Sequence, residues 1–75
     1  MANFFYKDFF IIAMGQFDKQ TELCMPVADI SWHSGSGYDS HTLQDSAQCF
    51  RTKHDAEVFA IEAAKAWVDA RVKAA

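Results

Sequence analysis

A chain of 75 residues that is 51% hydrophobic reads as one small domain with more apolar material than its interior can hide. The formal charge is −3, with 7 Lys and Arg against 10 acids, so no general attraction to phosphate backbones or anionic lipid is expected. Two cysteines, Cys24 and Cys49, are too few for a disulfide scaffold and too widely spaced for a metal knuckle or a two-residue redox motif; both read as reduced core residues.

No Lys or Arg precedes the first aromatic residues, and Lys7 and Asp8 interrupt the apolar stretch, so the beginning does not read as a targeting signal. The longest uncharged apolar run, Phe9 to Met14, is far short of a membrane span. A cytoplasmic protein without membrane contact is the expectation.

Residues 4–17, rich in aromatic and β-branched side chains, predict a first strand, and Asp18-Lys19-Gln20-Thr21 a polar hairpin break. Residues 22–32 predict a second strand. Residues 33–40, with Gly35, Gly37 and three serines, predict a flexible loop. Residues 41–50 predict a third strand with Leu43, Ala47 and Cys49 inward and Phe50 turning in at its end.

Two features strain a simple meander. Phe9, Phe10, Ile11 and Ile12 put large apolar groups on both faces of a first strand that would lie at an edge, where a flat apolar rim invites aggregation. Pro26 deletes a ladder donor from the second strand, so that strand is expected either to bulge there or not to be central.

A long helix follows over residues 53–74. Thr52, three residues before Asp55, is a capping-box-like start, with the carboxylate at the positive end of the dipole. At 100° per residue, Ala56, Phe59, Ala60, Ala63, Ala66, Trp67 and Ala70 share a core-facing stripe. Glu62, Lys65, Asp69 and Lys73 fall opposite, spaced for Glu62–Lys65 and Asp69–Lys73 pairs. Ile61, Val68 and Val72 form a second apolar strip that a monomer would leave partly wet.

The expected architecture is one α+β domain spanning residues 1–75, a three-stranded antiparallel sheet of order β-β-β-α with the helix packed on one face. The apolar surplus predicts a homodimer, through the edge of the first strand or the helix-free sheet face, with Phe9, Ile11, Tyr38, Ile61, Val68 and Val72 as the interaction surface. Alternatively Phe4, Phe5 and Tyr6 fold back over the open face.

Chemical motifs are weak. His33, Asp39 and His41 flank the Gly/Ser loop, but their spacing matches no metal-ligand pattern. Ser34 or Ser36 beside His33 lacks an identifiable oxyanion hole. Gly35-Ser36-Gly37 is followed by no helix and lacks the Lys of a phosphate loop. Tyr6, Phe9 and Phe10 on a strand invite base stacking, yet the first 50 residues carry two lysines against six acids. Only Arg51, Lys53, Arg71 and Lys73 offer a basic track, and Asp55 and Asp69 sit among them.

From the aromatic first strand through Phe50-Arg51-Thr52 and Asp55-Ala56 to Ala66-Trp67-Val68-Asp69 and Arg71, the chain resembles small bacterial proteins grouped as domains of unknown function. Those pair a short meander with a C-terminal helix ending in an Ala-x-x-Trp-hydrophobic-Asp pattern. The likeness spans most of the chain, with a longer Gly/Ser loop here, and implies no activity, cofactor or site residue. The sequence is therefore read as a non-enzymatic protein-interaction or self-associating module that needs no cofactor. A nucleic-acid-binding regulator is the alternative, and an enzyme or metal site at the His33/His41 loop the remote one.

Overall fold

The computed structural model describes residues 1–45 and 47–74; Ser46, inside the expected third strand, lies outside the described residues. Four strands, β1 (Ala2–Tyr6), β2 (Phe9–Asp18), β3 (Leu23–Ser34) and β4 (Gly37–Gln44), precede one helix, α1 (Lys53–Ala74). They form an antiparallel sheet in the order β1-β2-β3-β4, with α1 laid across β2 and β3. The α+β class, the meander and the single C-terminal helix are as expected, but the sheet has four strands instead of three.

The extra strand comes from a break inside the expected 4–17 segment. Lys7 and Asp8 both adopt positive φ, 50° and 69°, and close a two-residue turn between Tyr6 and Phe9. Two successive left-handed residues match the right-handed twist of paired strands, a role that Asn-Gly usually fills. Phe9–Ile12 therefore belongs to an inner strand, and Ala2–Tyr6 forms the rim. Phe4, Phe5 and Tyr6 pair edge-on with β2 and do not fold back over a face.

The expected loop at 33–40 is the second correction. Ser34 pairs with Gly37, and Gly35 at φ 60° takes the first turn position, where a residue lacking a β-carbon enters without strain. Gly and Ser here make a tight hairpin, and β4 begins earlier than expected. Between β2 and β3, Glu22 at φ 58° donates its N–H to the Asp18 carbonyl at 2.8 Å, and the Asp18 carboxylate accepts the Gln20 N–H at 2.9 Å.

Pro26 sits inside central β3 without a bulge. The β2–β3 register runs unbroken from Phe10↔Ser31 to Asp18↔Leu23, with Pro26 opposite Gly15. Two residues earlier, Cys24 exchanges both backbone hydrogen bonds with Phe50, so the N–H groups of Cys24 and of position 26 point away from β2. On that side the β4 ladder has already ended at Val27↔Gln44, so no strand waits for the donor that proline lacks.

The helix begins and ends where expected. Thr52 Oγ1 accepts the Asp55 N–H at 3.1 Å, satisfying one of the orphan donors of the first turn. Its buried seam is Ala56, Ala60, Ala64 and Val68, an i,i+4 row inclined to the helix axis. Ala66 and Ala70, expected inward, are exposed. The seam packs on Ile11, Ala13, Ala28 and Ile30, flanked by Phe4, Leu43, Ile61 and Trp67. Small residues on both layers bring sheet and helix close, and the large anchors stand at the flanks.

Ala47 and Cys49, expected inward, are exposed, while Cys24 is buried. Phe50 turns in as expected, its ring 5.4 Å from that of Phe59. Among the described residues, no helix is long and apolar enough to cross a membrane.

Candidate functional site

Strand alternation assigns every sheet residue to one of two faces. Facing α1 are Phe4 and Tyr6, Phe9, Ile11 and Ala13, Ala28, Ile30 and Trp32, with His41 and Leu43. The opposite face has no layer over it. There Phe5, Phe10, Ile12, Met14, Met25 and Val27 make an apolar tract beside a polar strip of Asp29, Ser31, Ser40 and Thr42. Phe5 is 76% exposed, and its ring stands 5.0 Å from that of Phe10. Thr42 Oγ1 donates to Asp29 Oδ1 at 2.7 Å, a cross-strand pair that satisfies the one carboxylate in this strip. No Lys or Arg lies on the paired positions of this face.

At the end of the open face nearest the two tight turns, Phe5, Asp8, Phe10, Ser31, Trp32, His33 and Tyr38 line a groove of about 350 Å³. Tyr38 is 73% exposed and lies 4.2 Å from the His33 ring.

The helix side is organised differently. Phe9, Trp32 and Trp67 form an aromatic cluster with ring separations of 5.5, 5.6 and 6.3 Å, and His41 stacks flat on Trp67 at 4.8 Å. Here the chain's own cations meet the rings: the Arg71 guanidinium lies 4.5 Å from Trp32 and 5.4 Å from Trp67, and Lys65 Nζ lies 5.6 Å from Tyr6.

Asp69 ties the first hairpin to the helix. Its Oδ1 accepts from Tyr6 Oη at 2.9 Å and from Lys7 Nζ at 2.7 Å. The expected Asp69–Lys73 and Glu62–Lys65 pairs are not among the ion pairs of the described residues; Lys7–Asp69 and the Met1 amine with Glu57 are. The Lys7 bond, then that from Tyr6, holds the Asp69 carboxyl below its ordinary range. The hydrogen bond to Asp69 in turn raises both the Tyr6 hydroxyl and the Lys7 amine.

The structure scatters the six residues read from sequence as one interaction surface. Ile11 and Val68 are wholly buried between sheet and helix, because their positions face each other across the two layers. Phe9 and Ile61 are half-buried on the helix side. Only Tyr38 and Val72 are exposed, and they stand on different layers. Sequence reasoning missed Phe5, Ile12, Met14 and Met25. Their signal was the run of even positions 10, 12 and 14, all apolar, which a helix covering the odd positions leaves uncovered.

His33 and His41 do not converge. His33 pairs with Tyr38 on the open face, whereas His41 pairs with Ile30 on the helix face. Among the described residues, no three His, Cys, Asp or Glu side chains are placed to share a metal ion.

No protein-family model, curated protein or solved structure matches the chain.

Proposed function

We propose that this protein is a self-associating interaction module in which two copies pack through the open faces of their sheets. The observation that carries this reading is the apolar tract of exposed Phe5 and half-buried Phe10, Ile12, Met14 and Met25, on a sheet face with no layer over it. Such a surface on a chain this small has more to gain from a partner than from water. Size supports the reading. The molecule extends 41 × 22 × 18 Å, and its broad side is of the order of the ~800 Å² per partner that a standard interface covers. The polar strip of Asp29 and Thr42 beside the tract supplies a rim whose hydrogen bond is already made.

A nucleic-acid role finds little support on this face, since its paired positions carry Asp29 and no Lys or Arg against a phosphate backbone. Sedimentation equilibrium tests the proposal. A dimer is expected at micromolar protein, and the double variant Ile12→Gln, Met14→Gln is expected to be monomeric with an unchanged circular dichroism spectrum. A wild-type monomer at all accessible concentrations overturns the reading.

A further inference from the structure

Two groups of aromatic rings in this protein differ in the charges beside them. On the helix side, Tyr6, Trp32 and Trp67 each have a Lys or Arg of the same chain over the ring. On the open face, Phe5, Phe10 and Tyr38 border a groove that no Lys or Arg lines, and Trp32, with Arg71 4.5 Å from its ring, lines it too. Lys7, the nearest cation in sequence, is drawn to the other side by its 2.7 Å bond to Asp69. Asp8 enters the groove wall in its place, and among the described residues it makes no hydrogen bond or ion pair. The positive φ of Asp8 completes the two-residue turn that brings this residue to the groove.

We infer that this groove is a binding site for an organic cation of quaternary-ammonium type. Aromatic ring faces are negative, attract a soft cation within about 6 Å of their centroids, and do so most strongly where water is thinned. A single carboxylate at the rim adds long-range attraction and orientation. The volume of about 350 Å³ falls at the small end of ligand pockets, enough for a trimethylammonium head. A neutral apolar ligand would fill the same space but leave the charge of Asp8 uncompensated. An anion would meet a carboxylate and the ring faces together. His33 at the wall and Ser31 at the floor supply polar atoms for whatever substituent the ammonium carries.

All the walls come from one chain, so the site needs no second copy, but Phe5 and Phe10 also belong to the face proposed to self-associate, and the two uses compete. The test is arranged to keep the two readings apart. Choline and its neutral isostere 3,3-dimethylbutan-1-ol, in which carbon replaces the quaternary nitrogen, are titrated into isotopically labelled protein while the amide signals of Phe5, Phe10, Ser31 and His33 are followed. Wild type and the Ile12→Gln, Met14→Gln variant are titrated in parallel, so that a groove covered by a second copy still shows itself in the variant. The expected result is saturable choline binding with a dissociation constant of about 1 mM, about tenfold tighter than for the isostere.

Asp8→Asn is expected to remove most of that preference, and Tyr38→Leu to weaken choline while leaving the isostere nearly unchanged. Equal binding of choline and isostere in either protein overturns the inference, as does no binding in both. Neither outcome bears on the sedimentation result. A monomeric wild type that discriminates choline would overturn the dimer and leave the cation site standing.

Discussion

Gly15 runs so close beneath the first turn of α1 that a β-carbon on it would stand 2.9 Å from the Ala56 β-carbon and 2.5 Å from the Lys53 carbonyl oxygen. This crossing sets the spacing of the two layers. The wall above it is helix backbone, which cannot turn aside as a flexible side chain does. Gly15→Ala is therefore expected to destabilise the fold by about 1–3 kcal/mol, the range for forcing a methyl into a packed site. Urea unfolding checks it. An unchanged midpoint would mean that the helix shifts freely on the sheet.

Val68 and Val72 are one turn apart and differ completely in environment. Val68 is 0% exposed against the sheet, and Val72 is 45% exposed. Val68→Ala is expected to cost about 2 kcal/mol through the lost methyls and the void they leave, while Val72→Ala is expected to stay within about 0.5 kcal/mol of wild type. Thermal unfolding of the two variants reads the contrast directly.

The Tyr6–Asp69–Lys7 junction predicts a pH dependence with a definite sign. Because the folded-state carboxyl of Asp69 is depressed, its contribution is present above the unfolded value and is lost as pH falls through the lower folded one, below about 3.9. The raised Lys7 and Tyr6 groups contribute below their unfolded values and lose that contribution as pH rises through their raised folded ones, above about 10. All three groups are solvent-accessible, so the effect is modest and screened by salt. Asp69→Asn should lower the melting temperature near neutral pH and bring the wild-type and variant curves together under acid. Parallel curves at every pH would remove the junction from the stability of the hairpin.

Asp8 is held at φ 69°, a conformation that costs an ordinary residue free energy and glycine almost none. Asp8→Gly should stabilise the fold by up to about 1 kcal/mol. It should also remove most of the preference for choline over its neutral isostere. Stability gained together with discrimination lost would show that the carboxylate is kept for recognition at the expense of the turn. Chemical denaturation and the ligand titration supply the two readouts.

Thr52 caps α1 through its hydroxyl, and Thr52→Ala is expected to cost about 1 kcal/mol. The loss should appear as fraying of the first turn, in the hydrogen exchange of Asp55 and Ala56, before it appears in the global unfolding midpoint.

The helix was the most legible element, because its signals are local. Thr52 with Asp55 marks the start, and the 3.6-residue recurrence of Ala56, Ala60 and Trp67 marks the buried side. Its buried seam lies part of a turn away from the expected stripe. Periodicity gives an apolar arc, while the angle at which a helix crosses a twisted sheet selects the row that is buried. Ala64 and Val68 thereby displaced Ala66 and Ala70.

The hairpins were half legible. Asp18 to Thr21 announced a turn by composition. Lys7-Asp8 did not, since Asp tolerates the left-handed region but Lys rarely enters it and no glycine accompanies them, and Gly35-Ser36 was legible as a break but not as a tight one. Pro26 looked incompatible with a central strand because whether its missing donor matters depends on where the neighbouring strand stops, a fact of pairing and not of composition.

By itself the sequence determined what short-range chemistry can encode: an apolar, strand-forming acidic half, a capped amphipathic helix, and a surplus of apolar residues for so short a chain. Only the tertiary structure decided which of those residues are spared from water. The helix covers one face of the sheet, burying Ile11 and Val68 together, leaving Phe5 and Ile12 on the other side, and sending His33 and His41 to opposite faces. A strand's alternation offers two equivalent faces, and its own residues carry no mark of which one the helix will occupy; that choice is made by the packing of whole layers.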